Sequence, residues 1–161
     1  MLPEVVAENS AAIAIDERVP NAIVDARLAA DGPVLFIDPA QIVPVCQFLK
    51  DAAGFEQAVG ITGVDWWPKS PRFEVIYLLR SYKNNARLRL SVRLSEGQEI
   101  DSVCSVWRGA NWYERETFDL FGVVFRNHPN LERIMMPADW EGHPLRKDYP
   151  VHGHKYSYQN E

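Results

Sequence analysis

FEVIYLLRSYKNNARLRLSVRL, residues 73–94, is the stretch on which the fold turns. Its second half alternates without a fault. Leu88, Leu90, Val92 and Leu94 fall on one side of an extended chain, and Arg87, Arg89, Ser91 and Arg93 on the other. Successive side chains of a strand point to opposite faces, so residues 87–94 are predicted as a strand with one face in a core. The other face is wet or meets a partner. Phe73 to Arg80 is apolar on both sides, as suits a central strand. The connection, SYKNNA, carries an Asn-Asn pair that suits a hairpin turn.

Upstream, Phe55 to Thr62 gives a weaker strand signal, and the turn-rich DWWPKSP joins it to Phe73. Asp38-Pro39-Ala40-Gln41 is a helix start, with an acceptor at the cap and proline in the first turn. Ile42, Val45, Cys46 and Leu49 then recur at helical spacing and predict one buried stripe. Pro44 has no amide hydrogen to give the preceding turn, so a kink or a true start is expected near residue 43. Val34 to Ile37 reads as a short strand. Residues 20–31 (PNAIVDARLAAD) read as a short helix closed by Gly32.

Downstream, a helical segment is expected from about Ile100 towards Trp107, and a second helix from about Asn111 to Phe121, stopped by Gly122. On that second helix Tyr113, Thr117, Leu120 and Phe121 form an apolar stripe. Trp112, Arg115, Glu116 and Asp119 gather opposite, with Arg115 and Asp119 meeting at i, i+4. Glu114 falls at the border. A carboxylate on the edge of a packed face needs a partner, and Arg133 or Arg146 is expected to fold back onto the helix to supply one. A surface helix with a solvated charged side would look much the same. Trp112 among the charges favours a side that is covered, by this domain or by another chain.

Beyond residue 128, Pro129, Pro137, Gly142, Pro144 and Pro150 leave no room for a long helix. Residues 127–151 are expected to form an extended strap. An extended segment buries little against itself, so it would lie across another surface. The division that results is an N-terminal segment with a short helix (1–32), a body ending in the charged helix (33–126), the strap, and a flexible tail (152–161).

The chain has 161 residues, 47% apolar and 24% charged, enough for one domain with a genuine core. A net charge of −5 with no basic tract argues against nucleic acid. Two cysteines without a CxxC are too few for an iron–sulfur cluster held by this chain alone. The N-terminal twenty residues are acid-rich and fit neither a secretory signal nor a mitochondrial presequence, and no apolar run spans a bilayer. A cytosolic chain is expected, one that could still sit on a membrane by binding something embedded there. No GxGxxG, GxxxxGK[ST], HExxH or GxSxG is present, and no nucleophile is paired with a base. His143, His152 and His154 could hold a stray metal, but their spacing does not match a catalytic zinc site.

NWYERETFDLFG, FRNHPNLERIMMP and DWEGHPLRKDYP together closely resemble the signature of the C-type subunit family of proton-pumping NADH:quinone oxidoreductase, respiratory complex I. ITGVDW at 61–66 and the strand pair resemble the family's body, and the resemblance runs over roughly residues 33–151. It implies an α+β fold, a small mainly antiparallel sheet with helices packed on one side. It implies an accessory subunit without a cofactor or catalytic residues of its own, FMN, iron–sulfur clusters and quinone being held by other subunits. The large D-type subunit is the implied main partner, with the B-type and I-type subunits as further neighbours, on the cytoplasmic side of the bacterial inner membrane. The partner-binding residues on this reading are Trp112, Glu114, Arg115, Glu116, Asp119, His128, Arg133, Pro144, Leu145, Arg146, Lys147, Asp148 and Tyr149. A homologous subunit of a membrane-bound hydrogenase or of a dehydrogenase with another electron donor is the alternative. A self-sufficient metal or small-molecule binder and a generic adaptor are further readings from other classes.

Overall fold

A computed structural model describes residues 2–150. Five strands form one sheet in the order β1-β2-β5-β4-β3: β1 Ile23–Ala29, β2 Gly32–Ile37, β3 Gln57–Asp65, β4 Phe73–Ser81 and β5 Ala86–Leu94. Only β2–β5 is parallel, so the sheet is mainly antiparallel, as the resemblance implies. The expected hairpin is present, with Tyr77 opposite Leu90 and Asn85 at φ 47° in its turn. One sheet face carries Leu35, Ile61, Val75, Tyr77, Leu79, Leu88, Leu90, Val92 and Leu94, all buried. Side chains directly opposite across strands share a face. The three described helices close over this apolar face: α1 Ser10–Arg18, α2 Ile42–Asp51 and α3 Ala110–Phe121. The opposite face is mixed: Val34, Phe36, Glu74 and Ser91 are buried on it, whereas Leu78, Arg87 and Arg93 are exposed.

The helices form where capping and spacing meet. Asp38 accepts the Ala40 amide at 2.8 Å, and a single 3-10 turn at Pro39–Gln41 leads into α2. Pro44 lies in the first turn of α2, where its missing hydrogen would have had no helical partner. Ile42, Val45, Cys46 and Leu49 are all fully buried. Helix α3 ends at Gly122, whose φ of 77° is costly for any residue with a Cβ; a Cβ there would also run into the Arg146 guanidinium and the His143 ring.

Three expectations are corrected. Residues 23–29 are strand β1 rather than part of a helix, because their backbone pairs with β2 across the tight Ala30-Asp31 turn. The N-terminal helix lies earlier, at α1, started by Asn9 accepting the Ala12 amide. The stretch before α3 is also not helical. Ile100–Asp101 form strand β6, paired in parallel with β7 (Phe125–Arg126), and turns follow to Arg108. Finally, residues 127–150 are a succession of turns and bends rather than one extended strap, because acceptors elsewhere in the chain capture their amides. Val151 and the tail 152–161, with His152 and His154, lie outside the described residues.

Helix α3 rides on β3 through Gly63, where a Cβ would stand 2.8 Å from Phe121 Cδ2. Overpacking of this kind costs about 1–3 kcal/mol. Gly63→Ala is therefore expected to lower the unfolding free energy, measured by urea titration, by that amount. An unchanged urea midpoint would mean that α3 can move off the sheet freely.

Candidate docking site

Helix α3 carries two carboxylates that point inward. Glu114 is fully buried and accepts hydrogen bonds from Val103 N (2.8 Å), Ser102 Oγ (2.5 Å) and Cys104 Sγ (3.3 Å). Burial pushes its pKa up, against the pull of those donors. No arginine reaches it, contrary to the expectation from the helix wheel; local donors replace the cation. Behind it the His128 ring is buried, 3.9 Å from Glu114. His128 Nε2 lies 3.2 Å from the Asn111 carbonyl, while Nδ1 accepts the Asn130 amide at 3.0 Å. That pattern places one proton on Nε2 and leaves the ring neutral, in keeping with the downward push of burial on its pKa. Cys104, Glu114 and His128 bring three metal-ligand atoms within 4.8 Å of one another. The histidine nitrogens and the carboxylate are already occupied, however, and burial raises the Cys104 thiol to about 12. As folded, this is a hydrogen-bonded carboxylate.

Asp119 is the first fastening point of the C-terminal segment. Its Oδ2 accepts three consecutive amides, Ile134 (2.9 Å), Met135 (2.7 Å) and Met136 (2.9 Å), and its Oδ1 accepts Arg133 Nη1 at 2.7 Å. Burial alone would raise its pKa, but these amides and the Arg133 guanidinium outweigh it and hold the carboxyl below its usual range. Arg133 thus folds back onto α3, as expected. Arg115 does not pair with Asp119; it donates to the carbonyls of Glu132 and Arg133 instead. Asp119 is buried from the side away from the sheet, by the segment it holds.

The second fastening point is one that helix-wheel reasoning misses. Asp65, at the end of β3, accepts Arg72 Nε (3.0 Å) and Nη2 (2.9 Å), Trp67 N (2.9 Å) and Lys147 N (2.9 Å). Arg72 continues to Asp148 (2.6 Å) and Glu96 (3.0 Å). Burial opposes ionisation of Asp65, but Arg72 and the Lys147 and Trp67 amides bring its pKa down to about 2. Arg146 adds a third attachment: its Nε donates to Phe121 O at 2.7 Å and its guanidinium lies 5.1 Å from the Phe73 ring. Leu145 N donates to Leu120 O at 3.0 Å. Tyr149 accepts Trp140 Nε1 at 3.0 Å and donates to Glu141 O.

What these attachments leave outside is apolar. Leu145 is 49% exposed and faces a cleft of about 480 Å³ shared with Trp66, Trp67, Lys69, Phe121 and Lys147. Trp67 is 52% exposed, and Pro144 beside the cleft is half-buried. Trp112, at 61%, stands apart on α3 under the Arg115 guanidinium, with Glu116 exposed near it. The candidate residues therefore separate into two sets. Glu114, Arg115, Asp119, His128, Arg133, Arg146, Asp148 and Tyr149 hold the structure together, while Leu145, Lys147, Trp112 and Glu116 face outward, with half-buried Pro144 beside Leu145. No described helix is long and apolar enough to cross a membrane.

Residues 35–155 match the model of the respiratory-chain NADH dehydrogenase 30 Kd subunit family. The chain is 43% identical to the C-type subunit of the NADH-quinone oxidoreductase of Geotalea uraniireducens, over 90% of this chain and 89% of that protein. It is 44% identical to the equivalent subunit of Geobacter metallireducens, over 90% and 91% of the two chains. Among solved structures it resembles a trypsin-resistant fragment of Nqo5, with a TM-score of 0.61 and 30% identity over 66% of this chain and 89% of that one. It also shares its fold with a chain of the membrane-bound sulfane sulfur reductase, an archaeal respiratory membrane complex (TM-score 0.72, 24% identity, 85% and 82% coverage).

Proposed function

The chain belongs to the respiratory-chain NADH dehydrogenase 30 Kd subunit family, and from that premise we propose that it is an accessory subunit of the peripheral arm of an NADH:quinone oxidoreductase. It docks on the large D-type subunit that forms the quinone site, with the B-type and I-type subunits as further neighbours, on the cytoplasmic side of the bacterial membrane. FMN, iron–sulfur clusters and quinone are held by those and other subunits. Its part in NADH-to-quinone electron transfer and proton pumping is to keep neighbouring subunits in register.

One observation carries this reading. The C-terminal segment satisfies its own polar groups against Asp119 and Asp65 and turns Leu145 and Lys147 outward around a cleft that Trp67 of the β3–β4 connection also lines. Exposed large apolar groups rimmed by charge mark protein interfaces. The inward residues of α3 act on docking by holding that edge in shape. Leu145→Asp, in the full chain carried into the assembled complex, is expected to cut recovery of complex and its quinone reductase rate about tenfold, the equivalent of about 1.4 kcal/mol. The isolated chain should melt unchanged. Full recovery of active complex would overturn the reading. The sister-complex alternative, for which the sulfane sulfur reductase fold is the relevant likeness, is decided by which electron-input subunits co-purify.

A further inference from the structure

The face of the sheet turned away from the helices is charged in two different ways along its length. At one end each cation has an acidic partner: Arg93 lies 3.5 Å from Asp25 and Arg27 lies 3.9 Å from Glu74. Nearer the other end, Arg89 is bonded to Asp31. At the other end the pattern breaks. Arg80 on β4 stands directly opposite Arg87 on β5 in the antiparallel register, and among the described residues neither forms an ion pair. Nearby carboxylates are engaged, Asp31 with Arg89 and Glu56 with the Tyr82 amide at 2.9 Å. Like charges directly opposite on a sheet are destabilising. The chain has a net charge of −5, so two unmatched guanidinium groups in register are not a by-product of a basic composition.

The same end of this face exposes apolar surface. Val59, Leu78 and Tyr82 line a cleft of about 370 Å³ together with Arg80, Arg87 and the Arg89–Asp31 ion pair, so two cations in it are left over, and the Arg80 guanidinium lies 5.0 Å from the Tyr82 ring. Arginine beside exposed apolar and aromatic groups is the composition of a protein interface, and complementary charge sets which partner it accepts. We propose that this face is a second docking surface, separate from the Leu145 cleft, and that it takes an acidic, partly apolar segment of another polypeptide of the same assembly. The partner's carboxylates would lie between Arg80 and Arg87, and its apolar side chain against Leu78 and Val59. The proposal rests on the reading of the chain as part of a larger complex.

The charge pattern gives the test two readouts of opposite sign. Arg87→Glu places a carboxylate opposite Arg80, so the purified full chain should melt about 1–3 °C higher. The same substitution should weaken docking. A photo-crosslinking phenylalanine derivative at position 78, in the full chain carried into the assembled complex, should capture a segment rich in Asp and Glu on another subunit. Arg87→Glu should lower that yield about tenfold, and Arg87→Lys should retain most of it. A crosslinker at position 145 serves as the control. Loss of capture at 78 with capture at 145 retained overturns this inference alone; loss at both positions overturns the docking reading with it. Capture of a second copy of this chain, of lipid or of a segment poor in acidic residues at position 78, or a yield indifferent to Arg87→Glu, also overturns it.

Discussion

Asp119→Ala is expected to cost about 3–5 kcal/mol where the C-terminal segment is held, the range for removing one partner of a buried charged network. Three amides, those of Ile134, Met135 and Met136, lose their shared acceptor in one step. Each donor left unpaired while buried costs about 1–3 kcal/mol, so the segment avoids the cost by leaving. Arg133 is close enough to solvent to turn outward, which keeps the total from going higher. A domain has about 5–15 kcal/mol of stability in all, and the sheet draws little of its own from this contact. The change should therefore be local: far-UV circular dichroism nearly unchanged, amide exchange at 134–136 faster by several hundredfold or more, and new protease cleavage within 127–150. Asp119→Asn should be no gentler, because its amide hydrogens would confront either Arg133 or the three amides. Amide exchange at 134–136 that matches the parent chain would refute the clamp.

Arg72→Met should act on the other fastening point with a pH signature. Glu96 and Asp148 are exposed enough to return to water, but the Asp65 carboxylate is fully covered and keeps only the Trp67 and Lys147 amides. An uncompensated buried charge costs about 3–5 kcal/mol at neutral pH. In the parent chain the folded pKa of Asp65, about 2, lies below the unfolded value of about 3.9, so the unfolded state binds more protons in that window. The stabilisation is therefore complete above the unfolded value and is lost as pH falls through about 2. In the variant, burial is no longer opposed by the guanidinium and the carboxyl takes up its proton in weak acid. The cost of the substitution should accordingly shrink as pH falls towards about 4 and below. Urea midpoints of both chains at neutral and at acid pH would show the convergence. A penalty independent of pH would exclude Asp65 as its source.

The sheet was legible wherever one face alone is buried. The alternation of residues 87–94, the Asn-Asn hairpin and the α2 stripe each follow from a single periodicity and stand in the structure. Strand β1 was not, because Ala, Arg and Leu favour a helix locally and an edge strand with sparse burial shows little alternation; pairing with β2 overrides propensity. Asp31-Gly32 was the usable signal, since this pair marks a tight turn between strands as readily as a helix stop. Ile100, Val103, Val106 and Trp107 imitate a helical stripe and are all buried, yet a two-residue strand and turns put them there. At the candidate site, a helix wheel sees one covering surface, the sheet. Asp119 is buried from the other side by residues distant in sequence, and no local pattern carries that. Asp65 was within reach, because it continues the inward parity of Ile61 and Gly63 along β3.

The two fastening points also differ in what they ask of the sequence. Ile134, Met135, Met136 and Lys147 enter them through main-chain N–H groups, so their side chains take no part in the bonds. Met135 and Lys147 point outward. Any residue but proline serves there, and a fluorescent reporter can be carried at either position without loosening the clasp. Dye at Lys147, beside the Leu145 cleft, would then follow assembly of the complex in real time, while dye at Met135 registers only whether the clasp is shut.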